Sequence, residues 1–108
     1  MRKDSFKHFV LDQLGGLERV TCRAMFGGHG LYCGRRFFGI VYRERLFFRV
    51  TDATRPEYER RGMEPFRPNA DQTLQRYYVV PADVLEDRAR LVEWARQALG
   101  ADEGDPIP

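Results

Sequence analysis

The sequence predicts an α+β domain: an antiparallel β-meander sheet of about four to five strands, with N- and C-terminal helices and a short central helix. Three observations carry that expectation. Residues 20–50 string together runs of β-branched and aromatic residues, broken by glycines or charged pairs. Apolar residues recur at spacings of three and four near both ends of the chain. Strands and long helices do not alternate in the way a parallel sheet requires.

Residues 4–17 read as a helix. Phe6, Phe9, Val10, Gln13, Leu14 and Leu17 share one face, Asp4 or Ser5 can cap the start, and Gly15-Gly16 is a natural stop. Residues 20–26 suit a strand, Gly27-Gly28 interrupts as a bulge or turn, and residues 29–33 resume. Gly34-Arg35 fits a two-residue II′ turn, because glycine leads it. Residues 36–43 form the next strand, Glu44-Arg45 the next turn, and residues 46–50 return. This register pairs Tyr32 with Phe37 and Val41 with Phe48. It puts Tyr32, Phe37, Val41, Leu46, Phe48 and Val50 on one face. Leu31, Arg36, Phe38, Ile40, Tyr42, Phe47 and Arg49 fall on the other. Both faces are then substantially apolar, so the second needs a cover, either a helix or a second copy of the protein. A homodimer is expected on that ground.

Residues 54–62 read as a short helix capped by Thr54, with Pro56 in its first turn and Gly62 after its last. Pro65 and Pro68 hold an extended connection, residues 75–80 form a β-rich run, and Pro81 ends it. Asp83 to Glu86 has the spacing of a capping box. Val84, Leu85, Leu91, Val92, Ala95 and Leu99 line a final helix that Gly100 stops. Residues 1–100 are therefore expected to form one domain, and residues 101–108 a disordered acidic tail.

A chain of 108 residues buries roughly two-thirds of its unfolded surface, so it needs neither disulfides nor a metal to fold. Residues 1–50 carry 10 Lys+Arg against 4 Asp+Glu, whereas residues 51–108 carry 8 against 12. The two cysteines, Cys22 and Cys33, do not make the dense framework of an oxidised secreted domain. The start of the chain lacks an apolar leader segment, and no run approaches the ~20 apolar residues of a membrane span. The expected location is the cytoplasm.

His8, His29, Cys22 and Cys33 are the residues from which a zinc site or a Cys–His nucleophile would be built. The cysteines lack close ligand spacing, and no nucleophile motif surrounds them. No catalytic residue, cofactor or metal is expected, and Asp83, Glu86 and Asp87 read as capping and solvent-facing acids. Gly27-Gly28-His29-Gly30 lies between strands and lacks the Gly-Lys-Ser/Thr ending of a phosphate loop, so its glycines read as architectural. Arg35, Arg36, Arg43, Arg45 and Arg49 cluster on and beside the meander turns, interleaved with Phe38, Tyr42 and Phe47. Such a pattern serves nucleic-acid binding. It also serves as a charged sheet edge that discourages aggregation, which is the preferred reading.

The residues also resemble a known family. Arg23-Ala24-Met25-Phe26-Gly27-Gly28, followed by Gly30-Leu31-Tyr32, is similar to the opening signature of the TfoX/Sxy N-terminal domain. Phe38 to Val41, Leu46 to Val50, Gly62 with Pro65-Phe66, Tyr77-Tyr78 with Val80-Pro81, and Leu91 with Trp94-Ala95 follow in the family's order. Gly34-Arg35 departs from it, standing where an Asp-Gly turn is commonly expected. The resemblance implies an antiparallel sheet with flanking helices and no established catalytic residues. It implies a regulatory role of the kind seen in bacterial competence regulators, which act on transcription with the cyclic-AMP receptor protein. Many such regulators have a C-terminal domain that this sequence does not contain, so a stand-alone N-terminal domain is expected.

Overall fold

The outer segments obey helical periodicity, and the middle of the chain obeys strand periodicity. In the computed structural model, which describes residues 2–25 and 27–104, they become four helices and six strands. Met1, Phe26 of the family signature and residues 105–108 at the end of the expected tail lie outside the described residues. The elements run α1 (Arg2–Gln13), β1 (Val20–Met25), β2 (Gly28–Cys33), β3 (Arg36–Tyr42), β4 (Arg45–Arg49), α2 (Arg55–Arg60), β5 (Pro65–Asn69), β6 (Gln72–Val79), α3 (Ala82–Leu85) and α4 (Arg88–Gly104). All strands form one antiparallel sheet, in the order β1-β2-β3-β4-β6-β5. The α+β class holds, with one strand more than expected. No helix among the described residues is long and apolar enough to cross a membrane.

The first turn is the expected one. Gly34 has φ 63° and Arg35 does not take positive φ, as a II′ turn led by glycine requires, and Tyr32 pairs with Phe37. The second turn lies one residue earlier than expected. Arg43 and Glu44 both take positive φ, 51° and 62°, so they make the turn although neither is glycine. Val41 consequently pairs with Leu46, not Phe48.

A β-bulge sorts the two faces. Leu31 pairs with Gly39 and Tyr32 with Phe37, which leaves Phe38 as the extra residue of β3. Strict alternation would put Phe38 beside Ile40. The bulge instead turns Phe38 toward the helices, with its ring 5.8 Å from that of Phe48. The helix side therefore holds Leu31, Phe38, Val41, Leu46, Phe48 and Val50 in one core with Val10, Leu14, Tyr58, Val84, Leu91 and Ala95. The outer side holds Ile40, Phe47 and Phe66, flanked by Phe37, Tyr42, Leu74, Tyr77 and Val79. Beyond the bulge the expected faces are right; before it they are exchanged.

Within the chain, part of the outer side is covered by a strand hairpin and not by a helix. Residues 65–69, expected as a plain connection, are strand β5. The β5–β6 hairpin carries two register shifts, and Asn69 braces its turn by accepting a 2.9 Å hydrogen bond from the Asp71 N–H. The hairpin folds Phe66 against Phe47 and Tyr42, with ring centroids 4.9 Å and 5.3 Å apart. Phe66 is fully buried.

The helical ends depart in detail. α1 ends at Gln13, before the two glycines, and Gln13 is buried on its apolar face, where Nε2 donates to the Leu85 carbonyl at 2.9 Å. Thr54 precedes α2 without capping it through its side chain; the Thr51 hydroxyl instead accepts from the N–H groups of Ala53 and Thr54. The Asp83–Glu86 capping box does not form. Pro81 precedes α3, and Asp87 starts α4 by accepting the Arg90 N–H at 3.1 Å. α4 then continues past Gly100 to Gly104.

α2, β6 and α4 are tied together by an aromatic and charged network. The Tyr58 ring lies 4.9 Å from Trp94 and 6.0 Å from Tyr78, and the Tyr78 hydroxyl donates to Glu59 at 2.9 Å. Burial raises the Tyr58 phenol. Burial, with the hydrogen bond to Glu59 and its charge, raises that of Tyr78. Asp83 bridges Arg61 and Arg90 at 3.2 Å and 3.0 Å. Burial works against its charge, but the hydrogen bonds from Arg90 and Arg61 outweigh it and hold the carboxyl below its ordinary range.

Candidate functional site

The five arginines singled out from the sequence do not form one surface. Arg35 and Arg36 sit at the turn joining β2 to β3. Arg43 and Arg45 sit around the turn joining β3 to β4, at the other end of β3. A seven-residue strand separates the two groups by about 20 Å. Arg36 joins Arg19 and Arg96 around a polar groove that also includes Cys33. Arg43 places its guanidinium 5.2 Å from the Tyr42 ring centre and, with Arg45 and Arg67, lines a second groove over Phe47. Arg49 lies at the far end of β4, opposite Tyr77 on the outer side.

The family signature is explained by close approach. A Cβ on Gly28 would stand 2.3 Å from the Val41 carbonyl oxygen, and one on Gly30 would stand 2.6 Å from Met25 Sδ and 2.9 Å from the Phe37 ring. Neither position has room for a side chain. Arg23 stacks its guanidinium 5.1 Å from the Tyr32 ring centre. Gly27 lies between β1 and β2 with φ 79°.

His8 is exposed on α1, whereas His29 sits on β2, between Ala24 and Val41. Cys22 and Cys33 are free thiols packed against the helix-side core, and the Cys33 thiol lies 3.1 Å from the Glu18 carbonyl oxygen. The four residues therefore do not converge. Among the described residues, no three His, Cys, Asp or Glu side chains gather where they would hold a metal ion.

An apolar groove of about 390 Å³ opens at the Arg45 end of β4. Phe6 of α1, Leu46 of β4, Met63, Val79, Val80 and Leu85 form its apolar lining. Glu44, Arg45 and Glu64 supply its charges. Beside it stands Phe9, 6.3 Å from the Phe6 ring and 40% exposed, the large apolar side chain left in water among the described residues. Phe9 was expected on the buried face of the first helix. It flanks that face instead, because Phe6, Val10, Gln13 and Leu14 already fill the contact with the core. The groove was not legible from sequence, since four separate segments build it and none carries a motif.

Two comparisons with known proteins bear on this geometry. The TfoX N-terminal domain family model matches residues 12–101, nearly the whole chain. An uncharacterised 12.7 kDa protein in the trpE 5′ region of Spirochaeta aurantia is 31% identical over 97 residues, covering 90% of this chain and 80% of that protein.

Proposed function

The chain belongs to the TfoX N-terminal domain family, and from that membership we propose that it is a non-catalytic regulatory domain that influences transcription by docking on a protein partner. The observation that carries the reading is the apolar groove with exposed Phe9 at its side. An apolar strip of this kind, with charges at its margin, suits a partner's short amphipathic helix laid along it. Two carboxylates, Glu44 and Glu64, beside one Arg45 favour a partner helix flanked by basic residues. The cytoplasm is the location this role requires.

The test is a titration of the chain with the cyclic-AMP receptor protein of the same cell, the partner that the family resemblance suggests. Binding is expected, and Phe9→Glu or Met63→Glu should weaken it by at least about tenfold. A transcription reporter should fall in parallel. Binding that both variants leave unchanged would remove the groove from the reading, and failure to bind would remove this partner. A homodimer is a further proposal, decided by light scattering. The β5–β6 hairpin already covers much of the apolar area that motivated it.

A further inference from the structure

The half of the outer sheet that the hairpin leaves open is chemically unlike the groove. Across it runs a row of flat rings. Tyr32 on β2 lies 5.2 Å from Phe37 on β3, and Phe37 lies 5.5 Å from Tyr77 on β6. All three are half-buried, so part of each ring meets solvent. Exposed Arg23 on β1 closes one end by stacking on Tyr32. Arg49 of β4, opposite Tyr77, stands between the strands that supply Phe37 and Tyr77.

The charge of the sheet is one-sided. Among the described residues no Asp or Glu lies in a strand, whereas Arg23, Arg36, Arg45, Arg49, Arg67 and Arg76 all do. Of these arginines, Arg23, stacked on Tyr32, and Arg49, opposite Tyr77, adjoin the rings, so the charge at the border of the open face is positive and attracts polyanions.

We propose that this open face binds single-stranded nucleic acid, stacking bases on Tyr32, Phe37 and Tyr77 while Arg23 at its border meets the phosphates. Rings in a row across an antiparallel sheet offer platforms for about two or three bases. From β1 to β6 the row crosses five strands, roughly 19 Å at the usual strand spacing. A duplex keeps its base faces stacked inside, so it can use only the charge and not the rings. An acidic protein could use the charge but has no comparable series of planar faces. This site goes beyond the protein-docking reading and shares no residue with the groove.

The test is fluorescence anisotropy of the full chain with dye-labelled oligo(dT) and oligo(U) of about 15 nucleotides, over a range of salt, with the matching duplex as a control. The single strands should bind more tightly than the duplex. Tyr32→Ala and Phe37→Ala should each weaken binding by about 5- to 100-fold. Arg23→Gln is exposed and compatible with the fold, and should lower the salt slope by about one phosphate contact. Circular dichroism and melting temperature identify any variant that fails to fold, leaving Arg23→Gln to decide. The proposal is overturned if neither single strand binds at low salt, or if folded variants bind as the parent does. It is equally overturned if duplex or polyglutamate competes as well as unlabelled single strand.

Discussion

The outer side of the sheet is two surfaces built on the same strands. Under the β5–β6 hairpin, Ile40, Phe47 and Phe66 are almost wholly buried and make a small second core. Outside that small core, Tyr32 and Phe37, with Tyr77 of β6, are only half-covered and have Arg23 at their border. Both halves are aromatic, so hydrophobicity alone does not tell them apart. What separates them is whether the chain itself returns to close the surface. Where it does, ring packing contributes to stability. Where it does not, rings of the same kind are left facing outward, available to a ligand.

Phe66→Ala should give the largest effect, because this ring alone bridges the hairpin to both Phe47 and Tyr42. A loss of about 3–5 kcal/mol in denaturant unfolding is expected for a fully buried phenylalanine. The exposed half should respond differently. Phe37→Ala should cost well under half as much stability, and a loss equal to that of Phe66→Ala would erase the distinction between the two halves.

Gly28→Ala probes the backbone beneath both surfaces. Its Cβ would stand 2.3 Å from the Val41 oxygen, so β2 and β3 would have to part. A destabilisation of about 1–3 kcal/mol is expected, read as a lower denaturant midpoint.

The smallest effect lies across the sheet, on the helix side, where the aromatic cluster is closed and also titratable. Tyr58 and Tyr78 have raised phenol pKa values in the fold, so the folded state holds protons that the unfolded chain releases above about pH 10. Stability should therefore fall as pH rises beyond that point. Tyr78→Phe removes the bond to Glu59, costs about 0.5–1.5 kcal/mol near neutral pH, and flattens the alkaline loss. Melting temperatures from pH 8 to 11 check both signs.

Much of this fold was legible in local chemistry. Gly34 leading a two-residue turn set the pairing of Tyr32 with Phe37. The glycines at 28 and 30 announced close approach, which the Val41 oxygen and the Met25 and Phe37 side chains supply. The Arg43-Glu44 turn was not legible, because positive φ at two residues is normally announced by glycine or asparagine. The bulge at Phe38 was hidden for a related reason. Alternation gives no sign of an extra residue, and one extra residue exchanges the faces of everything before it. Candidate site residues fared worse than strands, since the five meander arginines are neighbours in sequence but are divided between the two ends of β3 and the far end of β4.

By itself, then, the sequence determined the class, the family signature, the order of the elements other than β5 and α3, and the excess of aromatic residues over what one core face can hold. These follow from periodicity, turn chemistry and composition, which act over a few residues. Only the tertiary structure decided which aromatics are core and which are surface. That choice depends on where the β5–β6 hairpin lands, and Phe66 reaches Phe47 and Tyr42 across about 20 residues of chain through contacts that no local pattern encodes.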